Sequence, residues 1–207
     1  MSKHKEEKTN VMRTLEQKKI AYTPHEYPAD GPVDGVSVAA YLNQDPEQVF
    51  KTLVTKGAGG GYYVFDIPVA ENLDLKKAAK AVGEKSIAML PQKELLPLTG
   101  YVHGGCSPVG MKKQFPTVFH ETVELFDTIC VSAGKIGAQV EVAPADLIAL
   151  LGAQTADVSC PAYEYPREQY PAGRLPLSPV LPLRLRLLQP PKRRVAAMEH
   201  ALKGHSG

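Results

Sequence analysis

Cysteine is scarce in this chain, and its three residues, Cys106, Cys130 and Cys160, form neither a CxxC pair nor an even disulfide set. That excludes a disulfide-stapled secreted scaffold and fits a reducing compartment. No apolar run reaches membrane-spanning length, and the charged start MSKHKEEK lacks the character of a signal peptide, so a soluble cytoplasmic protein with no membrane partner is expected. The histidines at 4, 25, 103, 120, 200 and 205 show no HxxxH or HExxH spacing and no cysteine pair joins them, so no metal site and no cofactor is expected. A GxSxG nucleophile elbow is missing too. The glycine run Gly57 to Gly61 lacks the Lys-Ser/Thr ending of a phosphate loop and reads as a hairpin connection. There is no internal repeat.

Net charge is equally slight, at +2 over 207 residues, but it is unevenly spread. Residues 1–158 carry 16 Lys and Arg against 19 Asp and Glu, whereas residues 159–207 carry 8 against 3. The first part is mildly acidic, which excludes a long basic face gripping a nucleic-acid backbone and leaves room only for a small local basic site. The second part holds eight prolines and the string PLSPVLPLRLRLLQPPKRR, with no helical or strand period. It reads as a Pro/Arg-rich disordered tail appended to a domain over 1–158.

Within 1–158 the spacing of apolar residues predicts a helix over 5–19 and a strand over 20–27 in which Pro24 marks a sheet edge. A short helix capped by Ser37 runs to Leu42, and Asp45-Pro46-Glu47 has the cap-then-proline order that starts another. Strands are expected from Val49 and over 62–69. A helix over 72–83 has Asp74 near its start, Gly83 as its stop, and Lys76, Lys77 and Lys80 on a solvated face. An apolar segment at 87–90 and a helical turn at 91–96 lead into a loop. Strands at 117–120, 128–132 and 139–142 and a helix over 144–151, ended by Gly152, complete an α+β pattern.

Three features of this stretch bear on chemistry. The loop Gly100 to Lys113, GYVHGGCSPVGMKK, packs four glycines, Ser107, Pro108, Lys112 and Lys113 into fourteen residues. Such a loop either brings backbone close to a ligand or simply connects strands across the surface. Cys106 lies in it near His103, but nothing in the sequence orients the two as a nucleophile and its base. Lys51 stands alone between apolar Val49-Phe50 and Leu53-Val54, either as an ammonium at the mouth of a pocket or as an edge lysine that blocks strand pairing. His25 and His120 fall in strands and read as structural or surface residues.

The segments VFKTLV at 49–54, LDLKK at 73–77, Gly100-Tyr101 with Gly104-Gly105 and SPVG at 107–110, and VSAGK at 131–135 occur in that order. In order and spacing, over about 8–158, the chain resembles the YbaK/EbsC-type aminoacyl-tRNA deacylases. It is most similar to the free-standing Cys-tRNA(Pro) deacylases, relatives of the editing domain inserted in bacterial prolyl-tRNA synthetase. The resemblance implies a mixed, mostly antiparallel sheet curled into a partial barrel with flanking helices, and a pocket for the aminoacylated 3′ end of tRNA. It implies catalytic roles for Lys51, Gly104 and Ser132, with Tyr27 as a pocket tyrosine. Gly105, Ser107, Pro108 and Lys112 would complete the substrate site. Prolyl-tRNA synthetase is the implied partner. In the cysteine-specific members of this family the thiol of the substrate attacks its own ester, which implies no nucleophile or cofactor from the protein. Two departures bear on pocket shape: Asp34 falls near a position where family members carry a pocket phenylalanine, and Gln139 where they carry an aspartate. They keep open an Ala-tRNA(Pro) or broader hydrolase that uses water, and a non-catalytic module that binds tRNA or a synthetase is the further alternative.

Overall fold

A computed structural model describes residues 8–31 and 34–161 of the chain. The first helix, α1 (Asn10–Gln17), begins where the Thr9 hydroxyl accepts a hydrogen bond from the Met12 amide. It ends where Lys19 adopts a left-handed φ of 59°. Val11 and Leu15 bury one stripe of it completely. The strand β1 (Tyr22–Glu26) follows, and Pro24 does mark an edge, since among the described residues β1 pairs with one neighbour. Helix α2 (Gly35–Tyr41) is capped by Asp34, whose carboxylate accepts from the Ser37 amide at 2.9 Å. Ser37 is therefore the third helical residue, not the cap expected of it.

A helix expected from Asp45 does not form. Asp45 instead closes a turn, accepting from the Glu47 amide through its side chain and from the Gln48 amide through its carbonyl. The physical reason is that the next residues are already drawn into a ladder: the Gln48 carbonyl accepts from the Cys130 amide and Val49 bridges Cys130. Strands β2 (Phe50–Gly57) and β3 (Tyr62–Pro68) then form an antiparallel hairpin around the glycine run, as its composition suggests. The short β4 (Glu71–Leu73) precedes α3 (Leu75–Ala81), which Asp74 caps through the Lys76 and Lys77 amides. Next come β5 (Ile87–Met89) and α4 (Gln92–Thr99), which runs past Pro97 to stop at Gly100 with φ 86°. After the glycine-rich loop, β6 (Thr117–His120), a 3-10 turn, β7 (Ile129–Ser132), β8 (Ala138–Val142) and α5 (Pro144–Leu151) follow in the expected places.

Two three-residue strands, β9 (Gln154–Ala156) and β10 (Ser159–Pro161), escape any periodicity argument because three residues show none. The expected domain edge at 158 falls just before β10, which pairs with β4. Ser159 also bonds Glu71 and His120, and its carbonyl accepts from Lys77 at 2.9 Å. So Lys77 is tied to β10 and to Asp157 rather than merely solvated. The rest of the Pro/Arg-rich stretch lies outside the described residues.

The strands pair as a five-stranded sheet in the order β5-β2-β3-β6-β9, a three-stranded sheet β1-β8-β7 and the pair β10-β4. All ladders are antiparallel except β3-β6 and β6-β9. This is the mixed, mostly antiparallel α+β architecture expected; no sheet closes on itself among the described residues. One core forms where α1 and α5 cover β7 and β8, with Leu15, Phe119, Ile129, Val131, Val140 and Leu147 fully buried. A second lies where α3 covers Phe65 and Ile67 of β3. Each such side chain contributes about 1.5–3 kcal/mol by leaving water.

Candidate active site

A cavity of about 490 Å³ opens where β2, the end of β7, α2, α4 and the glycine-rich loop meet. Its wall brings together Lys51, Tyr27, Gly104 and Ser132, residues separated by up to 105 positions in sequence. The neighbours Gly105, Ser107, Pro108 and Lys112 are not among the residues that line it.

Lys51 reaches the cavity from β2, where it pairs with Ile67 of β3. It is half-buried, and its ammonium donates to the Val69 carbonyl at 3.1 Å. Burial pushes its pKa down from the ordinary lysine value, and the charge of Glu71 pulls the other way. It is therefore not a freely solvated lysine: its ammonium is tied to the Val69 carbonyl, while the ladder of β2 with β5 covers Thr55 to Gly57 and does not reach it. Ser132 ends β7 opposite Gln139, and its hydroxyl oxygen accepts from the Gly134 amide at 3.2 Å, leaving the hydroxyl proton available to the cavity. Gly134 has φ 87°, and a Cβ there would meet the Tyr101 ring at 2.8 Å, so the turn after Ser132 admits no side chain. Tyr27 is fixed by its amide, which donates to Gly137 in the same turn.

The glycine-rich loop explains why four of its five expected site residues stand elsewhere. Its turn is closed by the Gly105 amide donating to the Val102 carbonyl at 3.1 Å, so the Gly105 donor is spent within the loop. The Gly104 amide, held at φ 82°, has no backbone partner among the described residues. A Cβ on Gly105 would sit 3.1 Å from the Ile136 amide nitrogen and the Lys135 carbonyl carbon, so this glycine permits two backbones to touch. Ser107 is fully buried and accepts from the Val109 amide, which is a structural task. Lys112 points its ammonium at the Leu96 and Pro97 carbonyls, 3.5 Å from each, at the end of α4. Pro108 lines a separate cavity of about 260 Å³ with Lys18 and Lys113.

Both departures from the family pattern lie on the main cavity wall. Asp34 is there as the α2 cap, and hydrogen bonds from Ser37 hold its pKa low. Gln139 is buried, and its Oε1 has no hydrogen-bond partner among the described residues.

Two further groups, Thr52 and Asp66, were not singled out from the sequence, and the structure also decides the standing of Cys106. Thr52 lines the cavity and donates to Asp66 Oδ1 at 2.6 Å. Asp66 is completely buried, which raises its pKa to about 7 despite that bond. The one indication of it in sequence is an aspartate inside the apolar strand YYVFDIPV. Cys106 is on the wall with His103, but burial, aided by the Asp66 charge, pushes its thiol up to about 12. A thiol so reluctant to ionise is a poor nucleophile.

One cluster of metal-ligand type occurs among the described residues: His25, Glu141 and Cys130, side by side on β1, β8 and β7, offer atoms within 4.8 Å of one another. Their polar atoms are already engaged. His25 Nε2 meets Glu141 Oε2 at 2.9 Å, Glu141 Oε1 accepts from Thr128 at 2.6 Å, and Cys130 accepts from Gln44. The cluster ties three strands together.

Comparison with known proteins places the chain in a family. Residues 33–150 match the family description of the aminoacyl-tRNA editing domain. A protein of Enterococcus faecalis, EbsC, named as a candidate Cys-tRNA(Pro)/Cys-tRNA(Cys) deacylase, is 45% identical over 161 residues, spanning 77% of this chain and 98% of that protein. Among solved structures, a candidate trans-editing enzyme for prolyl-tRNA synthetase superposes with a TM-score of 0.65 at 28% identity, over 73% of this chain and 95% of that one. A hypothetical protein, APE2540, shares the fold with a TM-score of 0.68 at 23% identity, over 73% of this chain and 99% of that one.

Proposed function

This chain belongs to the aminoacyl-tRNA editing-domain family, and from that membership we propose that it is a trans-editing deacylase that removes cysteine from mischarged Cys-tRNA(Pro), and from Cys-tRNA(Cys). The observation that carries the reading is the half-buried Lys51 ammonium on the wall of a cavity shared with Tyr27, Gly104 and Ser132. A volume of about 490 Å³ suits the end of an aminoacylated nucleotide. The bridge between Val49 and Cys130, which joins β2 to β7, supports a partial barrel as the frame around it.

In the proposed mechanism the substrate's thiol attacks its own ester carbonyl. A carbon–sulfur bond forms, the ester carbon–oxygen bond breaks, and a small thiolactone leaves the tRNA 3′ hydroxyl behind. The protein bends the aminoacyl group into attack geometry, which lowers the barrier through proximity. Lys51 and the Gly104 amide stabilise the oxyanion, and the Ser132 hydroxyl proton adds a third donor. Cys106, held as a thiol, takes no covalent part. No cofactor enters the scheme. A mildly acidic domain makes weak tRNA discrimination of its own, so the choice of tRNA(Pro) falls to prolyl-tRNA synthetase in a complex in the cytoplasm.

A second reading rests on Asp34 and the unpartnered Gln139 Oε1, polar groups on the same wall that suit a bound water and hence hydrolysis of Ala-tRNA(Pro). Deacylation of Cys-tRNA(Pro) and Ala-tRNA(Pro) by the wild type and Lys51→Ala separates them. Rapid loss of cysteine alone, slowed about 10²–10³-fold by the substitution, is the expected result. Loss of alanine favours the water-using editor, and no loss of either leaves a module that binds tRNA without cleaving it.

A further inference from the structure

Asp66 is the one buried carboxyl group among the described residues, and its position is costly. It lies in the middle of β3 between buried Phe65 and Ile67, where an apolar side chain fits. A carboxylate there loses its hydration and recovers one strong hydrogen bond, from Thr52, while Oδ2 has no partner among the described residues. Thr52 itself lines the cavity. Because its hydroxyl proton is given to Asp66, the oxygen lone pairs are what Thr52 has left to offer a bound substrate. A continuous hydrogen-bonded path therefore runs from the cavity through Thr52 to a carboxyl group sealed behind the wall.

Building on the editing reading above, we infer that Asp66, reached through the Thr52 hydroxyl, takes up the proton that the attacking group of the substrate loses during deacylation. As the attacking sulfur or water oxygen bonds to the ester carbon, its proton passes to Thr52 Oγ1 and the Thr52 proton passes to Asp66 Oδ1. Collapse of the tetrahedral adduct breaks the bond to the tRNA 3′ oxygen, and the same relay, reversed, returns the proton to that oxygen. Charge and atoms balance without any other base.

The electrostatics around Asp66 suit this task. Burial brings its proton affinity to about neutrality, where a proton acceptor transfers most effectively, whereas an ordinary carboxylate is too weak a base. Of the elements against it, β2 presents Thr52, β6 presents Phe119, and the glycine-rich loop presents the Cys106 thiol, the one titratable group of the three. Raised to about 12, that thiol stays protonated through the working range and leaves the Asp66 equilibrium its own.

The test measures kcat and KM between pH 6 and 9 on whichever of Cys-tRNA(Pro) or Ala-tRNA(Pro) the wild type cleaves, for the wild type, Asp66→Asn, Thr52→Ser and Thr52→Val. Asparagine keeps the shape and the bond to Thr52 but accepts no proton. It is expected to lower kcat by about 10²-fold or more, to leave KM within about twofold, and to abolish the pH-dependent limb near neutrality. Thr52→Ser retains activity, and Thr52→Val loses it as Asp66→Asn does. If Asp66→Asn does not fold, the serine–valine comparison decides alone. An active wild type with an equally active Asp66→Asn of unchanged pH profile, or equal activities for Thr52→Ser and Thr52→Val, overturns the inference while leaving the editing reading intact. A wild type that cleaves neither ester removes the editing reading and the inference together.

Discussion

Asp66 also makes the stability of the fold depend on pH in an unusual direction. Most carboxylates are held more acidic by folding, but this one is raised from 3.8 to about 7. Between those values the unfolded chain releases the proton and the folded chain keeps it, so stability falls as pH rises through that window and is level above it. The full effect is on the order of 4 kcal/mol. Asp66→Asn lacks it, so the Tm difference between the variant and the wild type should grow from pH 4 to pH 8, read by thermal unfolding at each pH. A constant difference would mean that the carboxyl group is not desolvated as described. The residue-scale contrast with Lys51 is instructive. A lone lysine between apolar neighbours stands out in sequence because that signal is local, and in the fold it is half-buried. Thr52 and Asp66 are partners across a hairpin, 14 residues apart, and only the register of β2 on β3 makes them a pair.

At the scale of elements, two helices begin alike and differ in what their caps touch. Asp74 caps α3 through two amides, at 2.9 and 3.0 Å, and does not line the cavity. Asp74→Ala should cost about 1 kcal/mol, read as a Tm lower by roughly 2–4 °C, with deacylation kinetics unchanged. Asp34 caps α2 with a comparable bond and does line the cavity. Asp34→Ala should cost a similar amount of stability and also raise KM, because the start of α2 forms part of the wall. Equal kinetic effects from both substitutions would contradict that assignment. Helices and strands with their own punctuation were legible from sequence: Asp74 before α3, Gly152 with φ 58° after α5, the glycine run between β2 and β3. Asp45-Pro46-Glu47 misled because the same cap chemistry serves a turn, and the Gln48 carbonyl was already bonded to β7. Residues 159–161 were read with the proline-rich stretch that follows, although their pairing with β4 and the Ser159 contacts hold them to the fold.

For the molecule as a whole, β10 sets where the folded unit can be cut. A chain ending at 158 loses the ladder to β4, the Lys77 bond to the Ser159 carbonyl and the Ser159 contacts to His120 and Glu71. It should melt several degrees below a chain ending at 161; coincident melting curves for the two truncations would show β10 to be dispensable. The cavity depends on connections of another kind. The loop that presents Gly104 and the turn that follows Ser132 meet backbone to backbone at Gly105, where a methyl group would sit 3.1 Å from Lys135 and Ile136 and fit only if one backbone gave way by a few tenths of an ångström. Mechanically the two segments are one part, although about 30 residues separate them in the chain. Their inheritance is then joint: a graft that replaces the glycine-rich loop with that of a relative will work only if the turn at 133–137 comes with it, and an insertion in either must be answered by a change in the other.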